Sequence, residues 1–335
     1  MKTEIVYSQT FNNHDNSMHP EHAARTDVMI QALNNSILND QVTIIQPTLL
    51  PEEILYNVHT IDMISKIKVM DKIGGDWIGP DTYVCKDDYK TARYAAGGTL
   101  QLCKKVIDGE IDNGFALVRP PGHHATRSQS MGFCLFNNIA ISSYELLKLN
   151  KNIFIFDLDV HHGNGTQEIF YSSDKLLYQS FHLSPHFPGT GSIEEIGCES
   201  GEGFSINAPL NYMNGEKTIQ KLMDEIFTPI AHDFKPDIIL VSVGYDGHYA
   251  DRLGSLKIGI NYFGKLLEIL QEIQPKIVCT LEGGYNLDII GKCFLSQIGQ
   301  LCHKPIDFED RVPKEKINTD IVISLKEKMK DYWDL

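Results

Sequence analysis

Asp159 and His161 stand two residues apart in the segment Asp157-Leu158-Asp159-Val160-His161-His162-Gly163. If the chain there is extended, alternate side chains share a face and both can reach one metal ion. Asp246, in Gly244-Tyr245-Asp246-Gly247-His248, is the best candidate for a third ligand. One histidine and two aspartates give a nitrogen and oxygen donor set that suits Zn²⁺, with Fe²⁺ or Co²⁺ as alternatives. Three protein ligands leave a position open for water or substrate. Taken singly, each residue also reads as a loop carboxylate or a hydrogen-bonded histidine. Two carboxylates and two histidines in one short segment are harder to explain that way, because desolvating them is costly unless they are paired or metal-bound.

A second cluster could move protons. His123 and His124 follow Arg119-Pro120-Pro121-Gly122, where the prolines end a strand and set the histidines on a turn. A histidine that activates water needs an acceptor on its other nitrogen. Asp157 is the candidate partner for His123, and Asn164 for His124. Tyr285 follows Gly283 and Gly284, which permit a backbone path that side chains forbid and so could aim the phenol at the metal. A phenol there can donate to the oxyanion of a tetrahedral intermediate.

These clusters need a common scaffold. Val42 to Ile45, Phe115 to Val118, Ile153 to Phe156, Leu176 to Phe181, Ile238 to Val243 and Ile277 to Leu281 read as strands. They are apolar throughout rather than alternating, as strands of a parallel sheet covered on both faces should be. Tyr89 to Ile107, Asn138 to Leu149, Lys217 to His232 and Asn261 to Ile273 read as amphipathic helices between them. The expected fold is a doubly wound α/β sheet flanked by helices on both faces. Four of the strands each run into a polar, glycine-rich cluster at the carboxyl end, where open α/β sheets bind ligands. With no repeat and no linker-like stretch, one domain over 1–335 is the simplest division. Its catalytic clusters fall within 115–290, and a tail, 303–335, packs on it.

The formal net charge of −14 argues against nucleic acid as a direct partner and favours cationic ones. No apolar run approaches a membrane span, and the N-terminus lacks the apolar stretch of a signal peptide, so a cytoplasmic location is expected. Seven scattered cysteines with no C-x-x-C pair read as reduced thiols. Gly189-Thr190-Gly191-Ser192 lacks the spacing and lysine of a phosphate loop. Lys104-Lys105 and Lys326 to Lys330 read as solvated helix faces.

The clusters RPPGHH (119–124), MGFCLFNN (131–138), DLDVHHGNGTQ (157–167), FPGTG (187–191), GYDGH (244–248) and LEGGYN (281–286) together resemble those of histone deacetylases. Class II members and their bacterial and archaeal relatives, acetylpolyamine amidohydrolases among them, are the nearest in pattern. The ordered resemblance runs from about Tyr7 to Leu301. It implies the arginase/deacetylase fold and a Zn²⁺ held by Asp159, His161 and Asp246. His123 and His124 would be the base and acid pair, and Tyr285 would polarise the acetyl carbonyl. Gly132, Phe133 and Phe187 match positions of a narrow substrate tunnel, which Leu253, Gly283 and Gly284 would also border. A K⁺ site is implied at Asp157, Asp159, His161, Ser180 and Phe181, several through backbone carbonyls. The acidic residue at the tunnel mouth would be Asp76 or Asp81.

The implied substrate is an acetylated lysine of a protein or peptide, with an acetylated polyamine as the alternative. Leu253 falls where the polyamine-selective eukaryotic member carries a glutamate, which removes one reason to favour polyamines. A binuclear manganese ureohydrolase would need a further carboxylate where His248 stands. A non-catalytic acyl-lysine binding module would be expected to lose a ligand or the tyrosine, and this chain keeps them all. The oligomeric state is not implied.

Overall fold

The computed structural model describes residues 1–335. Its strands are β1 (Thr3–Val6), β2 (Val42–Ile45), β3 (Gly75–Trp77), β4 (Tyr83–Cys85), β5 (Asn113–Ala116), β6 (Ile153–Asp157), β7 (Leu176–Leu183), β8 (Ser205–Leu210), β9 (Ile238–Val243) and β10 (Ile277–Leu281). Eight of them form one sheet in the order β2-β1-β5-β10-β9-β6-β7-β8, and every pairing in it is parallel. β3 and β4 form a separate antiparallel hairpin.

Both faces of the sheet are buried, and alternate residues of a strand enter different cores. In β6, Phe154 and Phe156 join one apolar cluster while Ile153 and Ile155 join the other. The first cluster takes in α1 (Ala24–Asn34), and the second takes in α2 (Glu52–Leu55), α3 (Ile61–Lys72), α4 (Asp88–Ile107), α5 (Asn138–Leu147) and α6 (Asn164–Phe170). The first is completed by α7 (Glu216–Leu222), α8 (Thr228–Phe234), α9 (Ile260–Ile273), α10 (Ile290–Leu301) and α11 (Thr319–Met329). This two-sided burial is why the central strands carry no polar alternation.

The expected elements are present: the strands at Val42–Ile45, Ile238–Val243 and Ile277–Leu281 keep their bounds, and the others have shifted ends. The helix expected from Lys217 to His232 is α7 and α8 joined by a π-helical turn, Met223–Phe227. The β5 ladder ends at Ala116, two residues before the apolar run does. Leu117 continues extended and donates its N–H to the Val6 carbonyl. β1 and β8 escaped sequence reading because Thr3-Glu4-Ile5-Val6 is short and charged and Ser205–Leu210 contains Asn207 and Pro209. Pro209 is tolerated there because β8 is an edge strand. Lys105 departs from a purely solvated reading, since its ammonium pairs with Glu4. No helix is long and apolar enough to cross a membrane.

The four strands that discharge polar clusters, β5, β10, β9 and β6, are consecutive neighbours in the sheet. Their carboxyl ends therefore bring Arg119–His124, Glu282–Tyr285, Gly244–His248 and Asp157–Gly163 to one place.

Candidate active site

The candidate ligands converge. The donor atoms of Asp159, His161 and Asp246 all lie within 4.8 Å of one another, and all three residues are buried. His161 Nδ1 is 3.0 Å from Asp159 Oδ1 and 3.1 Å from Asp246 Oδ2. Backbone amides hold the carboxylates from behind: Gly283 N–H donates to Asp159 Oδ2 (2.8 Å) and Val160 N–H to Asp246 Oδ1 (3.2 Å). Asp246 Oδ2 is buried with no aligned hydrogen-bond donor. Burial, reinforced by the charge of Asp159, pushes the Asp246 carboxyl up to about 6. Burial opposes charge on His161 too, yet the two carboxylates raise its pKa to about 10. Two buried carboxylates, one with an orphaned oxygen, beside a histidine nitrogen make an O/O/N donor set that fits a divalent metal.

The glycines before Tyr285 have separate tasks. A Cβ at Gly283 would lie 2.1 Å from Asp246 Oδ2, so only glycine lets this backbone approach the carboxylates. Gly284 has φ +107, a conformation that side chains rarely adopt.

The rings of the tandem histidines lie with centroids 3.9 Å apart, tilted 43° to each other, and have different partners. His123 Nδ1 lies 3.1 Å from Asp157 Oδ2, which also accepts the Tyr178 hydroxyl. Burial works against a charge on His123, but Asp157 and Asp159 raise its pKa to about 10. His124 Nδ1 lies 2.8 Å from Asn164 Oδ1, an acceptor, so Nδ1 carries the hydrogen and Nε2 keeps its lone pair. Burial first, then the charges of His123 and His161, hold His124 well below the usual histidine range. Glu282, which sequence reasoning did not single out, is fully buried and accepts the N–H groups of Gly122 (2.6 Å) and His123 (3.0 Å). Burial pushes its carboxyl up to about 7.

A pocket of about 210 Å³ leads to these groups, lined by Asp81, His124, Gly132, Phe133, His161, His186, Phe187, Leu253 and Tyr285. Of the two acidic candidates for the mouth, Asp81 lines it and Asp76, exposed on the β3 hairpin, does not. Gly283 and Gly284 are buried and absent from the lining. His186 is a lining residue that sequence reasoning missed; its ring stacks on His161 at 4.9 Å. Ser180 pairs with Asp157 across β6 and β7, which sets Ser180 and Phe181 beside the Asp157–His161 turn. A second, open hollow lined by Pro20, Arg252, Leu253, Tyr285, Asn286, Leu287 and Asp288 shares Leu253 and Tyr285 with the pocket.

A buried charge network fastens the site to the N-terminal segment. Arg25 donates to the carbonyls of Gly284 and Glu282, each at 2.7 Å, and to Glu21 at 3.0 Å. Arg119 grips the same Glu21 carboxylate with two nitrogens, at 2.5 and 2.8 Å. The only sequence signal was Arg119 in the RPPGHH cluster, since Glu21 and Arg25 lie about a hundred residues away in the chain.

Residues 19–301 match the family described as the histone deacetylase domain. A probable deacetylase of Archaeoglobus fulgidus is 35% identical over 86% of this chain and 82% of its own length. Histone deacetylase HDA1 of Saccharomyces cerevisiae is also 35% identical, over 84% of this chain, but this chain spans only 43% of the yeast protein. The crystal structure of the HDA15 HD domain superimposes with a TM-score of 0.92 at 29% identity, covering 99% of this chain and 95% of that one.

Proposed function

Because this chain belongs to the histone deacetylase family, we propose that it is a zinc-dependent hydrolase that removes acetyl groups from lysine side chains of proteins or peptides. The observation that carries the reading is the narrow pocket ending at His124, His161 and Tyr285, with Asp159 and Asp246 buried behind it. Asp159, His161 and Asp246 would hold the ion, which when bound would acidify a water and polarise the acetyl carbonyl.

The remaining work falls to the chain. His124, neutral and open at Nε2, takes the water's proton and returns it to the departing amine. His123, charged against Asp157, stabilises the developing negative charge, and Asn164 keeps His124 in the required tautomer. The Tyr285 phenol donates to the carbonyl oxygen as it becomes an oxyanion. Phe133 and Phe187 wall the alkyl chain and exclude water, and Asp81 receives polar groups of the substrate at the mouth. The Asp157, Asp159, His161, Ser180 and Phe181 corner would hold K⁺.

A peptide substrate is favoured over a polyamine by the open hollow beside the mouth, about 380 Å³, which gives flanking residues a place to lie. We read residues 1–335 as a single deacetylase domain. A cytoplasmic setting suits seven cysteines that are all free thiols. The test compares kcat/KM for an acetyl-lysine peptide with acetylputrescine and acetylspermidine, with and without a chelator. Peptide turnover that exceeds polyamine turnover and disappears on chelation is expected. Faster polyamine turnover overturns the substrate assignment, and turnover that survives chelation overturns the metal.

A further inference from the structure

Asp251 has no assigned task, yet its surroundings are unusual. The residue is buried, 5% exposed, and its carboxylate makes no ion pair. It is satisfied instead by three backbone N–H groups. Oδ2 accepts from Tyr285 (2.7 Å) and Asn286 (2.9 Å), and Oδ1 accepts from Leu253 (3.0 Å). Its own N–H donates to the His248 carbonyl at 2.9 Å. The loop after β9 is thereby tied to the loop after β10, and Asn286 Nδ2 adds a third tie, to the Ala250 carbonyl (2.8 Å).

The ties act on one side chain. From the other side Arg25 holds the carbonyls of Glu282 and Gly284. The Tyr285 ring lies between the Arg25 guanidinium, 4.9 Å from its centroid, and Phe133, 5.9 Å away edge to face. Arg25 fixes the chain up to Gly284, where φ is +107 and the backbone is permissive. The peptide that sets the direction of the Tyr285 side chain is held by Asp251.

We propose that Asp251 is a positioning residue for Tyr285: its carboxylate, gripping the N–H groups of Tyr285 and Asn286, aims the phenol into the pocket. The inference rests on Tyr285 acting on the acetyl carbonyl. A buried carboxylate bonded to backbone amides suits the task, because charge-assisted bonds are short and stiff. An amide of the same shape replaces it only in part: if its oxygen serves the N–H groups of Tyr285 and Asn286, its NH₂ is set against the Leu253 N–H, and the charge that stiffens the bonds is gone.

The test is a double-mutant cycle of Asp251→Asn and Tyr285→Phe on the metal-loaded protein, with an acetyl-lysine peptide as substrate. Asp251→Asn should lower kcat about 10- to 100-fold, as a misplaced catalytic group does, with KM and metal content unchanged. In the Tyr285→Phe background the same substitution should have almost no effect, because the phenol is already gone. An equal penalty in both backgrounds, or an unchanged kcat, overturns the positioning role. Full turnover by Tyr285→Phe alone overturns the role of the tyrosine, and the inference with it. Should Asp251→Asn fail to fold, Asn286→Ala loosens the same junction and should lower kcat a few-fold, again only when Tyr285 is present. An effect independent of Tyr285 counts against the proposal.

Discussion

At the scale of the residue, the site consists of groups whose burial would be unfavourable without a task. Replacing Asp246 with Ala removes one of three ligands and the orphaned oxygen, so purified protein should contain little zinc by elemental analysis. Stoichiometric zinc in that variant refutes the ligand assignment. Outside the site, His59 shows how pH enters. Its Nδ1–H donates to the Thr126 carbonyl (2.8 Å) and its Nε2 accepts the Asn137 N–H (3.0 Å). Burial lowers its pKa from 6.5 to about 4, so the unfolded chain takes up this proton more readily than the folded one. The contribution is therefore intact above pH 6.5 and lost as the pH falls toward 4. At about 1.4 kcal/mol per pH unit, the full loss is about 3 kcal/mol. Denaturation midpoints for the wild type and His59→Gln, whose amide can make both bonds and does not titrate, should lie close together near neutral pH and separate as the medium is acidified, the wild type falling below the variant. The convergence of the candidate ligands, the histidine pair and the tyrosine was legible in the sequence because each sits in a short cluster of polar residues after an apolar strand. The places of Asp251, Glu282 and His186 were not, since the partners of each are brought near only by folding.

At the scale of the element, two segments distant in sequence hold the strand ends in register. The N-terminal stretch inserts Glu21 between Arg25 and Arg119, all three fully buried. Glu21→Gln would leave two guanidinium groups without a counter-charge and should destabilise by about 3–5 kcal/mol, read as a drop in the denaturant midpoint. The segment after α10 holds the start of α9 and the loop after β9. Asp310 accepts the Ile260 N–H (2.7 Å) at the start of α9 and the Tyr249 hydroxyl (2.8 Å). Asp310→Ala should cost about 1–2 kcal/mol, the range of a lost helix cap; an unchanged melting curve would show that other donors replace it. The central strands and α4, α5 and α9 were readable because burial on two faces, or on one helical stripe, leaves a hydrophobic period. The α3 and α11 helices expose Ile61, Val69 and Ile323, which blurs that period. The segment 302–318 forms no regular element, so its register against α7 and α9 has no local signature.

At the scale of the molecule, the formal charge of −14 should steer cationic substrates. Raising ionic strength should lower kcat/KM for a lysine-rich acetylated peptide and leave a neutral peptide nearly unchanged. Equal salt sensitivity of the two would show that the long-range field plays no part. The sheet order carries another consequence. β10, last of the strands in the chain, lies between β5 and β9. A chain emerging from the ribosome therefore holds two unfinished half-sheets, β2-β1-β5 and β9-β6-β7-β8, facing an empty lane. Such open edges can pair with other chains, so products stopped before Ile277 should precipitate while longer ones remain in solution. The strand that closes the lane also brings Glu282 and Tyr285 to the site. Closure of the sheet and assembly of the candidate site are thus one event, because a chain that stops short of β10 lacks both its central lane and Tyr285.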